Sequence, residues 1–183
     1  YLASQNDNLV PINATLQIDF QGQCGSESLG FAPYSGTGGQ ADFVRAANRS
    51  RGGKAFIVVP STAKNDTISR IVPTLTPGTH VTTSKNDINY VVTEYGVAQL
   101  RGKSMKQRTL ELISIAHPNF RSELTEQAKQ RGWDQKVTGA MAAFAQYDAD
   151  GKAGSGDWYG VPNIGEYVMF YYNKELFKKA GIT

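Results

Sequence analysis

Between positions 8 and 20 apolar and polar residues alternate: Val10, Ile12, Leu16, Ile18 and Phe20 fall at the two-residue period of extended backbone. Glycine and serine then take over. Gly22, Gly25, Gly30, Gly36, Gly38 and Gly39 predict a long loop by their turn chemistry. Helical spacing follows over 40–50, with Phe43, Val44, Ala46 and Ala47 on the apolar side and Arg51-Gly52-Gly53 as the stop. The run Ala55-Phe56-Ile57-Val58-Val59 is unbroken and β-branched, the pattern of a strand covered on both faces, and Pro60 ends it. Strands are also expected over 69–72, 80–83 and 88–93, with a short helical turn over 96–102. Ser104 can cap a helix over 104–116 that carries Met105, Leu112, Ile113 and Ile115 as its stripe. Pro118 ends that helix and seeds another running to about 131.

The pattern changes after Trp133. A weakly amphipathic helix is expected over 136–147, then a Gly, Ala, Ser and Asp linker over 148–157. Strand-like runs over 158–161 and 167–172 lead into a short helix over 174–180. A domain boundary is therefore placed near Trp133, dividing 1–133 from 134–183. The strands 55–59 and 88–93 are expected to lie side by side in one sheet of an α/β unit.

Composition narrows the classes. The chain has 183 residues, 40% hydrophobic and 19% charged, which is the make-up of a globular protein. A net charge of +3 does not call for nucleic acid, but it suits a ligand bearing phosphates. The single cysteine, Cys24, excludes an internal disulfide and a thiolate metal cluster, and a small buried or half-exposed thiol is its expected role. No metal site is expected. Asp148-Ala149-Asp150-Gly151 opens like a calcium loop, but Lys152 takes the next ligand position and no closing glutamate follows on spacing. No stretch offers the ~18 consecutive apolar residues of a membrane span. The N-terminal residues have neither the basic nor the apolar region of a signal peptide.

The segment richest in chemistry is Tyr34-Ser35-Gly36-Thr37-Gly38-Gly39-Gln40-Ala41-Asp42-Phe43, a loop running into a helix. Its glycines let a ligand reach the backbone, and amides at a helix start can donate to an anion or a developing oxyanion. It is not a Walker loop, because no Lys-Ser/Thr follows, and it does not follow a strand as a dinucleotide fingerprint would. Taken alone, it reads equally as a glycine-rich turn.

Its neighbours decide between these. Asn13-Ala14-Thr15-Leu16-Gln17-Ile18-Asp19, the glycine loop with Asp42-Phe43, Pro60-Ser61-Thr62-Ala63-Lys64, Ser69-Arg70-Ile71-Val72-Pro73, Val91-Val92-Thr93-Glu94-Tyr95-Gly96, Leu100-Arg101-Gly102 and Ile115-Ala116-His117-Pro118-Asn119-Phe120-Arg121 occur in order. Together they resemble the C-terminal half of the acetyl-CoA hydrolase/4-hydroxybutyrate CoA-transferase family, over about residues 1–133. The resemblance implies a three-layer α/β class I CoA-transferase fold. It also implies a reaction in which an acyl-CoA acylates a catalytic glutamate to a mixed anhydride, releasing CoA thiolate. The thiolate attacks the anhydride, leaving an enzyme-CoA thioester that a second carboxylate resolves.

Carried onto this sequence, the resemblance puts the Gly38 amide in the oxyanion hole and Asn13 beside the catalytic carboxylate. It places Lys64 and Glu94 along the carboxylate-substrate pocket, and Gly36, Gly38, Gly39 and Gln40 against CoA. Lys64 and Glu94, both near strand ends, read either as ordinary exposed charges or as an ion pair. Acyl-CoA and a small carboxylic acid are the implied substrates, with no tightly bound cofactor, a cytoplasmic location and room for a homo-oligomer. The nucleophilic glutamate is expected upstream of the residues present, since Glu27 in Ser26-Glu27-Ser28 stands in a different motif. The chain alone is then expected to be inactive and to need the upstream half as its partner.

The tail has another resemblance. Asp157-Trp158-Tyr159-Gly160-Val161-Pro162 and 166–182 resemble a fragment of the family 1 extracellular solute-binding proteins of ABC sugar importers. That resemblance makes Trp158, Glu166 and Tyr167 the residues to face a sugar and points outside the membrane. The alternative is that the tail's aromatics fill a core. A chimera of two lineages, joined near Trp133, is the organisation these resemblances imply.

Overall fold

The computed structural model of the chain describes residues 2–131, together with a two-strand ladder pairing Gln146–Tyr147 with Asp157–Trp158. Contacts divide the chain into two units, Tyr1–Asp134 and Gln135–Thr183. Apart from the ladder, the helices and strands expected after 133 lie outside the described residues.

The first unit runs through short strands before its first long helix. These are β1 (Ile12–Ala14), β2 (Gln17–Asp19), β3 (Cys24–Gly25), β4 (Ser28–Leu29) and β5 (Ala32–Pro33), followed by α1 (Gln40–Arg49). Then come β6 (Phe56–Val58), β7 (Thr62–Ala63), β8 (Ile68–Ser69), β9 (Ile71–Val72), β10 (Tyr90–Thr93) and β11 (Gly96–Gln99). Two helices, α2 (Met105–Ser114) and α3 (Pro118–Gln130), close the unit.

The main sheet has the order β1-β6-β10-β11. β1, β6 and β10 are parallel, and α1 lies in the crossover between the first two, as a parallel pair requires. The expected neighbours do pair, with Phe56, Ile57 and Val58 opposite Tyr90, Val91 and Val92. Cover is uneven, however. Ile57 and Val91 are buried, whereas Phe56, Val58, Tyr90 and Val92 are half-buried, and the rings of Phe56 and Tyr90 stack at 5.0 Å. A second sheet, β3-β2-β9, contributes Ile18, Cys24 and Ile71 to the same core as Ile57, Val91, Leu100, Leu112 and Val44 of α1.

α2 packs on β11 and α3 on α2. Ser104 begins α2 with a reciprocal cap: its hydroxyl accepts the Gln107 amide at 3.3 Å, and the Gln107 side chain accepts the Ser104 amide at 2.9 Å. Pro118 starts α3, where a missing N–H costs nothing.

Five local expectations need correction. The stretch 22–39 is not one long loop, since β3, β4 and β5 form inside it. The strand expected over 69–72 is broken at Arg70, whose amide donates to the Ser61 carbonyl and whose guanidinium donates to the carbonyls of Thr62 and Leu16. Residues 80–83 make only an isolated bridge, Cys24 to Thr83. The helical turn expected over 96–102 is instead strand β11, antiparallel to β10. Gly96 opens it at φ +145°, a conformation L side chains rarely adopt, which lets the chain reverse directly after Thr93. Phe43, placed on the apolar side of α1, is 49% exposed.

Candidate active site

Because β1, β6 and β10 run parallel and in register, their carboxyl ends emerge on one edge of the sheet, the edge where open α/β sheets hold ligands. Asn13 sits near that edge in β1. It alternates with Ile12 and Ala14, which are exposed, so Asn13 turns inward and is half-buried. Its Nδ2 is buried and has no hydrogen-bond partner.

The glycine loop leaves β5 and passes beside Asn13 into α1. Asn13, Ser26, Glu27 and the loop from Ser35 to Gln40 line a cleft of about 270 Å³. Gly38 adopts φ +62°, the left-handed region that favours glycine, and a Cβ added there would meet nothing within 4 Å. Gly36 also faces open space. Gly39 is the N-cap of α1, and no side chain caps that helix. Its first-turn amides are therefore open to a ligand acceptor. Gln40 is buried and lines the cleft, and its Nε2 is committed to Thr83 Oγ1 at 3.2 Å.

Glu27 reaches the cleft through the β4–β5 hairpin. Its carbonyl accepts the amides of Tyr34 (2.7 Å) and Ser35 (3.2 Å), which ties the start of the glycine loop to it. Its side chain is 12% exposed, with Oε1 3.5 Å from His80 Nδ1 and Oε2 buried without a partner.

Glu94 follows β10 on the same sheet edge, two strands from β1 and so ~10 Å across the sheet. It is exposed and held from below. Ser61 donates its amide to Oε2 at 3.0 Å and to Oε1 at 3.2 Å, and donates its hydroxyl to Oε1 as well. Desolvation, the largest single influence, pushes the Glu94 carboxyl up. The Ser61 hydroxyl, backbone amides and the nearby His117 outweigh it and hold the pKa below the ordinary glutamate value. Tyr95 packs edge-on against His117 at 5.3 Å, with Arg121 5.6 Å above its ring.

Lys64 lies in the β7–β8 turn, exposed, at φ +51°, and its carbonyl accepts the Thr67 hydroxyl at 2.8 Å. Among the described residues no ion pair joins Lys64 to Glu94, contrary to the pairing considered above. Ser61 already supplies the donors that a strand-end carboxylate needs. Cys24 is fully buried, and burial followed by the Asp19 charge pushes its thiol far up, so it is no nucleophile.

A family profile, the acetyl-CoA hydrolase/transferase C-terminal domain, matches residues 1–128. The chain belongs to the acetyl-CoA hydrolase/transferase family. Among curated proteins it is 67% identical over 126 residues to a succinyl-CoA:cyclohexane-1-carboxylate CoA transferase of Geobacter metallireducens, covering 69% of this chain and 29% of that protein. It is 54% identical over 127 residues to a 4-hydroxybutyrate coenzyme A transferase of Clostridium kluyveri, covering 69% of this chain and 30% of the relative. Among solved structures, RipA from Yersinia pestis matches at a TM-score of 0.67 and 49% identity, over 72% of this chain and 30% of RipA. The chain thus spans about 30% of the length of the curated relatives it matches. An α/β class I CoA-transferase-like fold follows from the mixed sheets, the helices and these neighbours.

Within this family's domain the structure gathers Asn13, Gly36, Gly38, Gly39 and Gln40 at one cleft, and leaves Lys64 and Glu94 outside its lining. Trp158 falls in the distal ladder, and Glu166 and Tyr167 lie outside the described residues. The cleft residue that sequence reasoning set aside is Glu27. Its only local signal is a glutamate between two serines just ahead of the glycine loop.

Proposed function

We propose that this chain supplies the CoA-binding half of a CoA-transferase or acyl-CoA hydrolase that moves CoA between an acyl-CoA and a small carboxylic acid. The observation carrying this reading is the cleft itself. An open, left-handed Gly38 and the uncapped start of α1 stand beside the unpartnered Asn13 amide, at the carboxyl edge of a parallel sheet. In the proposed mechanism the thioester carbonyl lies against the Gly38 amide, and the loop amides donate to its oxygen as negative charge develops there. Asn13 donates to the nucleophilic carboxylate, which belongs to an upstream half, and orients it. Gly36, Gly39 and the Gln40 amide leave room for the thiol end of CoA.

Glu94, fixed by Ser61, and the exposed Lys64 are proposed to border the approach of the free acid. Lys64 attracts the anion, and Glu94 holds the strand end in place. The remaining assignments are a cytoplasmic location, where CoA is the common acyl carrier, an upstream half as partner and no tightly bound cofactor. Among the described residues no helix is long and apolar enough to cross a membrane, and no group of three metal-ligating side chains gathers. The sugar-binding reading of the tail rests on residues whose side chains are not described, and no observation favours it.

Acyl exchange between acetyl-CoA and a labelled carboxylic acid tests the proposal. The expected result is no turnover by the chain alone and turnover when the upstream half of a close relative is added. Robust turnover by the chain alone would overturn the placement of the nucleophile.

A further inference from the structure

Four buried side-chain atoms among the described residues lack a hydrogen-bond partner. Two are oxygens of Asn48 and Asn89, away from the cleft. The other two belong to cleft residues and are complementary: Asn13 Nδ2 is a donor and Glu27 Oε2 is an acceptor. A buried polar atom left unmatched costs about as much as a lost hydrogen bond, so a pair of opposite kind at one cleft describes the ligand that would complete it. With the Asn13 amide assigned to the nucleophilic carboxylate, the ligand is left to offer a donor to Glu27.

The chemistry of the substrates narrows the donor. A free carboxylic acid meets a site with acceptors, which suits Asn13 and the loop amides and not a carboxylate oxygen. The phosphates of CoA are likewise acceptors. The pantetheine arm is neutral and carries amide N–H donors, the first of them two methylenes from the sulfur. A thioester carbonyl seated at Gly38 therefore brings that amide close to the neighbouring wall of a cleft of about 270 Å³. Glu27 is on that lining and is fixed there twice: through its carbonyl by Tyr34 and Ser35, and through Oε1 by His80. His80 approaches only Oε1, so Oε2 remains for the ligand.

We propose that Glu27 is a CoA-contacting residue whose Oε2 accepts a hydrogen bond from a pantetheine amide N–H, setting the depth at which the thiol end enters the cleft. This rests on the reading of the cleft as an acyl-CoA site.

The test is calorimetric titration of the 183-residue chain with CoA, with pantetheine and with the adenosine bisphosphate portion of CoA. Glu27→Ala is expected to weaken CoA and pantetheine by about tenfold, the worth of one hydrogen bond to a charged group, and to leave adenosine bisphosphate unchanged. Glu27→Gln keeps a carbonyl acceptor and is expected to recover part of the loss. It carries the test alone if the alanine variant fails to fold by circular dichroism. His80→Ala removes the other partner of Glu27 and is expected to cost less than Glu27→Ala.

Equal losses for both fragments, or losses in His80→Ala that match those in Glu27→Ala, would mean that Glu27 only holds the hairpin, and would overturn the inference. If the unaltered chain binds CoA and Glu27→Ala binds it equally well, this inference falls and the broader reading stands. If the unaltered chain binds no CoA, both fall.

Discussion

α1 and α2 are ten residues long and start in opposite ways. At α2, Ser104 and Gln107 exchange hydrogen bonds and satisfy two backbone donors within the helix's own sequence. At α1 the N-cap is Gly39, no side chain returns to the first turn, and the residues ahead of it are glycines with open space where side chains would be. The first arrangement stabilises a fold. The second gives up that stabilisation and leaves amides for something outside the chain. The same contrast separates Glu94, whose carboxylate Ser61 holds, from Glu27 and Asn13, whose buried atoms are left open. Where the polypeptide satisfies its own polar groups it builds structure, and where it leaves them unmatched beside a cleft it marks a site.

The comparison breaks most sharply at Gly38. Replacing it with valine forces a side chain into the left-handed region at a cost of about 1–2 kcal/mol and fills the space beside the loop amides. CoA binding should fall by about 5–30-fold even if the loop relaxes to relieve only that strain. Since no protein atom lies within 4 Å of the new Cβ, the stability loss read from the urea midpoint should not exceed that backbone strain. A large stability loss with unchanged binding would show that the glycines serve the turn alone.

Ser104→Ala is the opposite experiment. Losing the cap should cost about 1 kcal/mol of stability, read as a lower urea midpoint, with CoA affinity untouched. Gly39→Ser sharpens the contrast by giving α1 the cap it lacks. The serine should add a few tenths of a kcal/mol at most, because its Cβ comes within 3.3 Å of the Phe43 ring, and it should weaken CoA by competing for the same amides.

The smallest effect concerns pH. Glu94 has a folded pKa held below its ordinary value of 4.5, so the unfolded chain binds the extra proton first as pH falls. Its contribution is complete above the ordinary value and is lost as pH drops through the depressed one. Glu94→Gln should therefore lower stability slightly at neutral pH and flatten the acid limb of the stability curve, the loss fading as pH falls through the depressed value. A variant whose loss is largest at neutral pH and absent in acid would agree with this sign, whereas one whose loss grows in acid would contradict it.

Much of this was legible in the sequence wherever the signal is local. The unbroken apolar runs around Ile57 and Val91 gave the parallel pair, Ser104 gave a helix start, and Pro118 gave the next one. β11 was missed although Ala98 and Leu100 are buried and Val97 and Gln99 exposed, because four residues of alternation after a glycine look like a turn until the partner strand is known. The break at Arg70 was hidden for the same reason, since the carbonyls it holds lie on Leu16, Ser61 and Thr62. At the cleft, the glycines taken alone read equally as a turn, and the ordered motifs around them decided the reading. Glu27 was missed, because what marks it is burial, a distant histidine and an unmatched oxygen, all of which arise only when the chain folds.

The central claim is that the opening between Asn13 and the glycine loop receives CoA, and titrating CoA into the chain and into Gly38→Val tests it most directly. The account predicts a weak, saturable heat for the unaltered chain, since a partial cleft makes few contacts against the cost of association, and its loss or marked weakening in the variant. No heat from the unaltered chain, or equal affinities for the two proteins, would contradict it.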